Sequence, residues 1–138
     1  MFKVKVLTQG KIKEPWLTSA LEEYKKRMSR AVIIEWVLVD TPQELTKLAL
    51  KEPMLIALDI PGKLMSSEEW AQALFSTWGA RPSFVIGGAE GLDPSVVQHA
   101  KARISLSPLT FTHQMVRLIL VEQLYRAVQI HQGTQYHK

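Results

Sequence analysis

Apolar and polar residues alternate along Phe2-Lys3-Val4-Lys5-Val6, and this period of two predicts a half-buried strand over residues 2–8. Gln9-Gly10-Lys11 reads as a turn. From Pro15 the period changes. Trp16, Leu17, Ala20, Leu21, Tyr24 and Met28 recur at helical spacing and predict an amphipathic helix over residues 15–29, with Pro15 suited to its first position. The Val- and Ile-rich run 31–39 predicts a second strand. Thr41-Pro42-Gln43-Glu44 predicts a helix start, with Thr41 as N-cap, Pro42 at the first position and Glu44 completing a capping box. That helix ends before Pro53. Residues 54–59 form a buried strand that gives way to a loop, Ile60-Pro61-Gly62-Lys63. Ser66 or Ser67, followed by Glu68-Glu69, caps a helix reaching about Trp78. Residues 84–86 make a strand cut off by Gly87-Gly88, and Asp93-Pro94 opens a short helix to about Ala100. A last strand covers 104–106. A long helix runs from about Thr112 to Gln132, ended by Gly133 as its C-cap.

Strands and helices therefore alternate from end to end. This predicts one α/β domain spanning residues 1–138, with a mostly parallel sheet and helices on both faces. In such sheets ligands bind where loops leave the carboxyl ends of the strands. Three loops do so in the second half: Leu58-Asp59-Ile60-Pro61-Gly62-Lys63, Gly87-Gly88-Ala89-Glu90-Gly91 and Leu106-Ser107-Pro108-Leu109-Thr110-Phe111. Their convergence on one pocket is the expectation. The glycines allow close backbone approach to a ligand, or serve only to turn the chain.

The segment lacks G-x-G-x-x-G, a Walker loop and a nucleophile elbow, which argues against dinucleotide binding, ATP hydrolysis and acyl transfer. A pocket of apolar walls and backbone groups suits an adenosine moiety better. The long helix is apolar at positions 115, 116, 118, 119, 120, 121, 124, 125 and 128, far more than one face, so it is expected to pack against a partner subunit as well as its own core. Arg117, Glu122 and Arg126 on it are expected to be paired, the last two as an ion pair four residues apart. The chain closes on Tyr136-His137-Lys138, an aromatic, an imidazole and a cation. The cluster suits a substrate clamp in which Tyr136 stacks on a base, His137 exchanges a proton and Lys138 meets phosphate. A solvated chain end is the plainer alternative.

Composition narrows the chemistry. The 138 residues include no cysteine, which removes disulfides, thiolate zinc sites and cysteine nucleophiles. His99, His113, His131 and His137 stand at no metal-ligand spacing, so no metal is expected. No apolar run is long enough for a membrane span, and the start lacks the apolar core of a signal peptide, so a cytoplasmic protein is expected. The net charge is +4, with Lys3, Lys5, Lys11, Lys13, Lys25, Lys26, Arg27 and Arg30 crowded into the first third. This is compatible with a polyanionic partner or with ordinary solvated faces.

The three loops just quoted, with Thr112-His113-Gln114, Glu122-Gln123-Leu124-Tyr125-Arg126-Ala127, the terminal Tyr136-His137-Lys138 and the opening Val6-Leu7-Thr8-Gln9-Gly10-Lys11-Ile12-Lys13, resemble the ribosomal RNA large-subunit methyltransferase H family. The resemblance runs the length of the chain. It implies the SPOUT class of S-adenosylmethionine-dependent methyltransferases, an α/β-knot fold with a C-terminal trefoil knot, and a homodimer. The implied reaction is methylation at N3 of a pseudouridine in 23S ribosomal RNA, on the ribosome. By resemblance Leu58, Gly87, Leu106, Ser107, Pro108, Leu109, Thr110 and Phe111 hold the cofactor, and His137, Tyr136 and Arg126 are the catalytic candidates, the tail reaching the other subunit's active site. His137 would take the imide proton, Tyr136 would position the base, and Lys138 or Arg126 would stabilise the anion. Two prolines usual in the family are replaced, by Thr112 and Gln135, and the stretch between Asp40 and Pro53 is short. Two other classes stay open on sequence: a ribosome-associated binding module that keeps the fold without cofactor affinity, and a SPOUT methyltransferase with another RNA target.

Overall fold

A computed structural model describes residues 2–137. Ten elements alternate as predicted: β1 (Phe2–Gln9), α1 (Pro15–Met28), β2 (Val32–Val39), α2 (Pro42–Ala49), β3 (Leu55–Leu64), α3 (Ser67–Ser76), β4 (Ser83–Ile86), α4 (Pro94–His99), β5 (Ala102–Ser105) and α5 (His113–Gln132). The five strands form one sheet in the order β2-β1-β4-β3-β5, and its four pairings are parallel. Parallel neighbours need crossovers, and each intervening helix provides one.

Strand alternation divides the core in two. Val4, Val6, Ile56, Leu58, Phe84 and Ile86 point to the face covered by α1, α3 and α5. Leu7, Leu55, Ala57 and Val85 point to the other face, where Leu45 and Ala49 of α2 and Val96 of α4 cover them. Trp70, Trp78 and Phe84 pack ring to ring in the larger core. No helix of the described residues is long and apolar enough to cross a membrane.

Helix ends follow local chemistry. Ser66 and Glu69 form a reciprocal capping box at α3. Thr41 accepts from the Glu44 amide, but the return bond expected from Glu44 is not made, so only half of that box forms. Helix α3 stops at Ser76, short of Trp78, whose ring turns into the core. Gly133 ends α5 at φ 72°, a conformation that favours glycine.

The largest departure from expectation lies in β3. Residues 60–63, expected as a loop, continue the strand to Leu64. After a bulge beyond Leu58 the strand returns to β5, so that Leu58 and Lys63 both register with Ile104. Gly62 makes this possible: a Cβ there would stand 2.7 Å from the backbone of Arg103 and Ile104.

Candidate functional site

The carboxyl ends of β3, β4 and β5 open into a cavity of about 450 Å³. The bulge after Leu58 supplies one wall and the Gly87–Gly91 turn a second. The loop from β5 to α5 supplies the third, and the first turn of α5 closes the end with His113 and Val116. Each wall is held. Arg103 on β5 donates through Nε and Nη2 to Asp59 at 3.0 and 2.7 Å, tying the bulge to β5. Gly87 lies so close to Gly91 that a Cβ would meet the Gly91 carbonyl carbon at 2.7 Å, and an amide bond from Gly91 to the Gly88 carbonyl closes the turn. In the third loop the Ser105 hydroxyl donates to the Ser107 carbonyl, and the Ser107 hydroxyl accepts from the Leu109 amide. Thr112 accepts from the Met115 amide at 3.3 Å and caps α5. The threonine thus starts the helix by side-chain capping, where proline would start it by fixing φ.

Of the sequence-predicted cofactor residues, Leu58, Gly87, Leu106, Ser107, Leu109, Thr110 and Phe111 line this cavity. Pro108 does not: the two serine bonds fold 105–109 into a turn that leaves Pro108 exposed beside the wall. Asp59 and His113, quoted in the motifs without a cofactor role, line it too, as do Ile86, Leu92 and Val116, which were not singled out. His113 and Val116 were within reach of sequence reasoning, because a loop that ends in a capped helix must present that helix's first turn.

Arg126, Tyr136 and His137 lie together, but elsewhere. Arg126 is thirteen residues beyond His113, about 20 Å along the α5 axis. There Arg126 Nε meets Glu122 at 3.2 Å, the expected ion pair. The Tyr136 hydroxyl donates to Glu122 at 2.8 Å, and its ring stands edge-on to Tyr125 and beneath the Arg126 guanidinium. Partial burial and the Glu122 carboxylate push the Tyr136 phenol up to about 12. His137 bridges Arg126 Nη1, 2.9 Å from its Nδ1, and Glu68, 3.1 Å from its Nε2. The tail is therefore latched to α5 and α3. Lys138 lies outside the described residues.

Arg117 is paired, as expected, but with backbone carbonyls. It is wholly buried and meets no carboxylate; Nη2 donates to the Gln9 and Gly10 carbonyls at 2.8 and 2.9 Å, and Nε has no partner. Burial pulls its pKa below the usual arginine range. Its bonds fix the β1–α1 turn, where Gly10 has φ 93°.

A model of the SPOUT methyltransferase family, described as "Predicted SPOUT methyltransferase", matches residues 2–137. The chain belongs to this family. Full-length relatives agree. A ribosomal RNA large subunit methyltransferase H of Protochlamydia amoebophila is 45% identical, covering 100% of both chains, and that of Desulfotalea psychrophila is 40% identical, covering 99% of both. The SPOUT fold is also visible in solved structures of low identity. A probable methylase family protein from Haemophilus influenzae has a TM-score of 0.58 at 11% identity, over 94% of this chain and 66% of that one. The SpoU methyltransferase AviRb from Streptomyces viridochromogenes, solved with AdoMet, has a TM-score of 0.50 at 13% identity, over 88% of this chain and 56% of its own. This SPOUT chain thus spans its curated relatives in full and about three-fifths of these two structures.

Proposed function

We propose that this SPOUT methyltransferase uses S-adenosylmethionine to methylate N3 of a pseudouridine in 23S ribosomal RNA, as a cytoplasmic homodimer acting on assembled ribosomes. In this reading the whole chain is one methyltransferase domain whose C-terminal part carries the trefoil knot. The observation that carries the reading is the cavity where three strand ends meet, in a chain similar over its full length to ribosomal RNA large subunit methyltransferase H proteins.

The cavity suits the cofactor. Its walls are mostly apolar, from Leu58, Ile60, Ile86, Leu106, Leu109 and Phe111, and Gly87 offers backbone with no side chain in the way. An adenosine moiety needs such an apolar slot and a few amide contacts. When bound, S-adenosylmethionine supplies a methyl group already activated on a sulfonium sulfur. Leu58, Gly87 and the loop 106–111 hold and orient it, Pro108 acting through the shape of the turn. Leu109 and Phe111 keep water from the reacting atoms. What the protein must still do is position the acceptor and remove the N3 proton, because a protonated imide is a poor nucleophile.

His137 takes that proton, Tyr136 positions the base, and Arg126, with Lys138, steadies the developing anion. Tyr136 keeps its own proton at neutral pH, which suits positioning by hydrogen bond. The tail is latched at Glu122 and Arg126, about 9 to 15 Å along α5 beyond Val116 at the cavity's edge, which supports the reading that it serves the cavity of the other subunit. The test is methylation of ribosomes from a strain lacking the enzyme, followed by nucleoside analysis. A new 3-methylpseudouridine is expected; its absence, with cofactor still bound in calorimetric titration, sinks the assignment of target.

A further inference from the structure

A second cavity of about 570 Å³ lies against the first, and three residues, Gly88, Ala89 and His113, line both. Its rim carries Lys11 and Lys13 from the β1–α1 turn, with Gln114 beside His113 at the start of α5 and one acid, Asp40, at the end of β2. Lys5 and Arg27 of the same basic region are already held by Glu52 and Glu23. Lys11 and Lys13 make no ion pair among the described residues.

The floor of this cavity is built. Buried Arg117 binds the carbonyls of Gln9 and Gly10, both of which belong to the lining, and the Gln114 side chain donates through Nε2 to the Lys11 carbonyl at 3.3 Å. A guanidinium that is fully buried, without a carboxylate, and with Nε unpartnered is costly in a purely structural role. It adds a third positive charge under the two lysines, in a low-dielectric setting that screens it little. His113 and Gln114, the first two residues of the twenty-residue helix α5, line the hollow as well, so the positive end of that helix borders it. The sum is a positive hollow that opens onto the cavity proposed for the methyl donor.

We propose that this hollow takes the phosphodiester backbone of the single-stranded RNA next to the target nucleotide, the base passing between Gly88–Ala89 and His113 into the neighbouring cavity. The proposal rests on the RNA methyltransferase reading and assigns it a backbone-binding subsite. Phosphate contacts of this kind fix register without reading sequence.

The experiment compares Lys11→Gln/Lys13→Gln with Lys25→Gln/Lys26→Gln. Both pairs are exposed and remove equal charge, but the second lies at the far end of α1. Initial methylation rates on ribosomes from a strain lacking the enzyme are measured against KCl concentration. For Lys11→Gln/Lys13→Gln, kcat/KM is expected to fall and its log–log salt slope to flatten by roughly 1 to 1.5, the loss of two single-strand phosphate contacts. S-adenosylmethionine affinity by calorimetry is expected to stay unchanged, and the control pair to keep the wild-type slope. An unchanged slope, an equal change in the control, or lost cofactor affinity overturns the proposal. If the wild-type protein binds cofactor yet leaves ribosomes unmodified, the target reading has failed, not the subsite. The same variants are then compared for binding a labelled single-stranded oligoribonucleotide, where the same difference in slope is expected and equal binding by both pairs rejects the hollow.

Discussion

His137 shows how much a single hydrogen bond decides. An arginine N–H can only donate, so the contact from Arg126 makes Nδ1 the acceptor and leaves the imidazole proton on Nε2, which faces Glu68. Both nitrogens are thus engaged while the tail is latched, and the ring gains a free lone pair only by leaving Arg126. His137→Ala is expected to lower kcat on ribosomes by on the order of 10²–10⁴, the usual value of a general base, with cofactor affinity unchanged. Near-full turnover at saturating cofactor removes the base assignment. Tyr136 makes a separate prediction. Its phenol is raised in the folded protein to about 12, so the protonated form is the one the fold stabilises. That contribution is fully present below the unfolded tyrosine value of about 10 and is lost as pH rises through the folded value. In an ultraviolet titration, the component missing from Tyr136→Phe is expected to ionise near 12; ionisation of that component near 10 means that the Glu122 latch does not form.

Elements are where sequence and structure part company, and they do so for one physical reason. Every strand and helix is legible in order because periodicity and capping are local, and the apolar loops that line the cavity were legible as strand ends. What was not legible depends on residues far apart in the chain. Pro61-Gly62 has the composition of a turn, yet it continues β3, because Arg103 and Ile104 of β5 lie where any Cβ at Gly62 would go. Arg117 was expected to be paired, but nothing local named its partners, which are carbonyls of a turn more than a hundred residues earlier. Asp59 was legible as part of a pocket loop, but its tie to Arg103 on another strand was not. Gly62→Ala is therefore expected to destabilise the fold by roughly 1–3 kcal/mol, since backbone rather than a flexible side chain must yield. It is expected to weaken S-adenosylmethionine binding as the bulge beside Leu58 shifts. Urea unfolding and calorimetry read the two effects, and wild-type values in both mean that the second pairing of β3 with β5 is not tight. At the next element, Thr112→Ala is expected to cost about 1 kcal/mol by removing the α5 cap, again read by urea unfolding.

At the scale of the whole molecule, the two halves of the proposed site are separated by α5 itself. The cavity sits at its first turn, with His113 and Val116, while Glu122 and Arg126 hold the tail from its middle onward. A rigid helix does not shorten, so one subunit cannot bring its own latched His137 to its own cavity. Ile60, Leu64, Leu109, Phe111 and Met115 are exposed large apolar residues on the segments that frame the cavity, in keeping with a second subunit covering that end. This leads to a test by mixing. Gly87→Ala closes the glycine turn against Gly91 and is expected to abolish cofactor binding, while His137→Ala leaves the cavity intact. Each is expected to be nearly inactive alone, and both are expected to sediment as dimers. After denaturation and refolding as an equal mixture, half of the dimers pair one of each, and in these one cavity faces one intact tail. If the tail acts in the other subunit, about a quarter of wild-type turnover returns on ribosomes. If it acts in its own, every mixed dimer has one dead cavity and one dead tail in separate sites, and mixing recovers nothing.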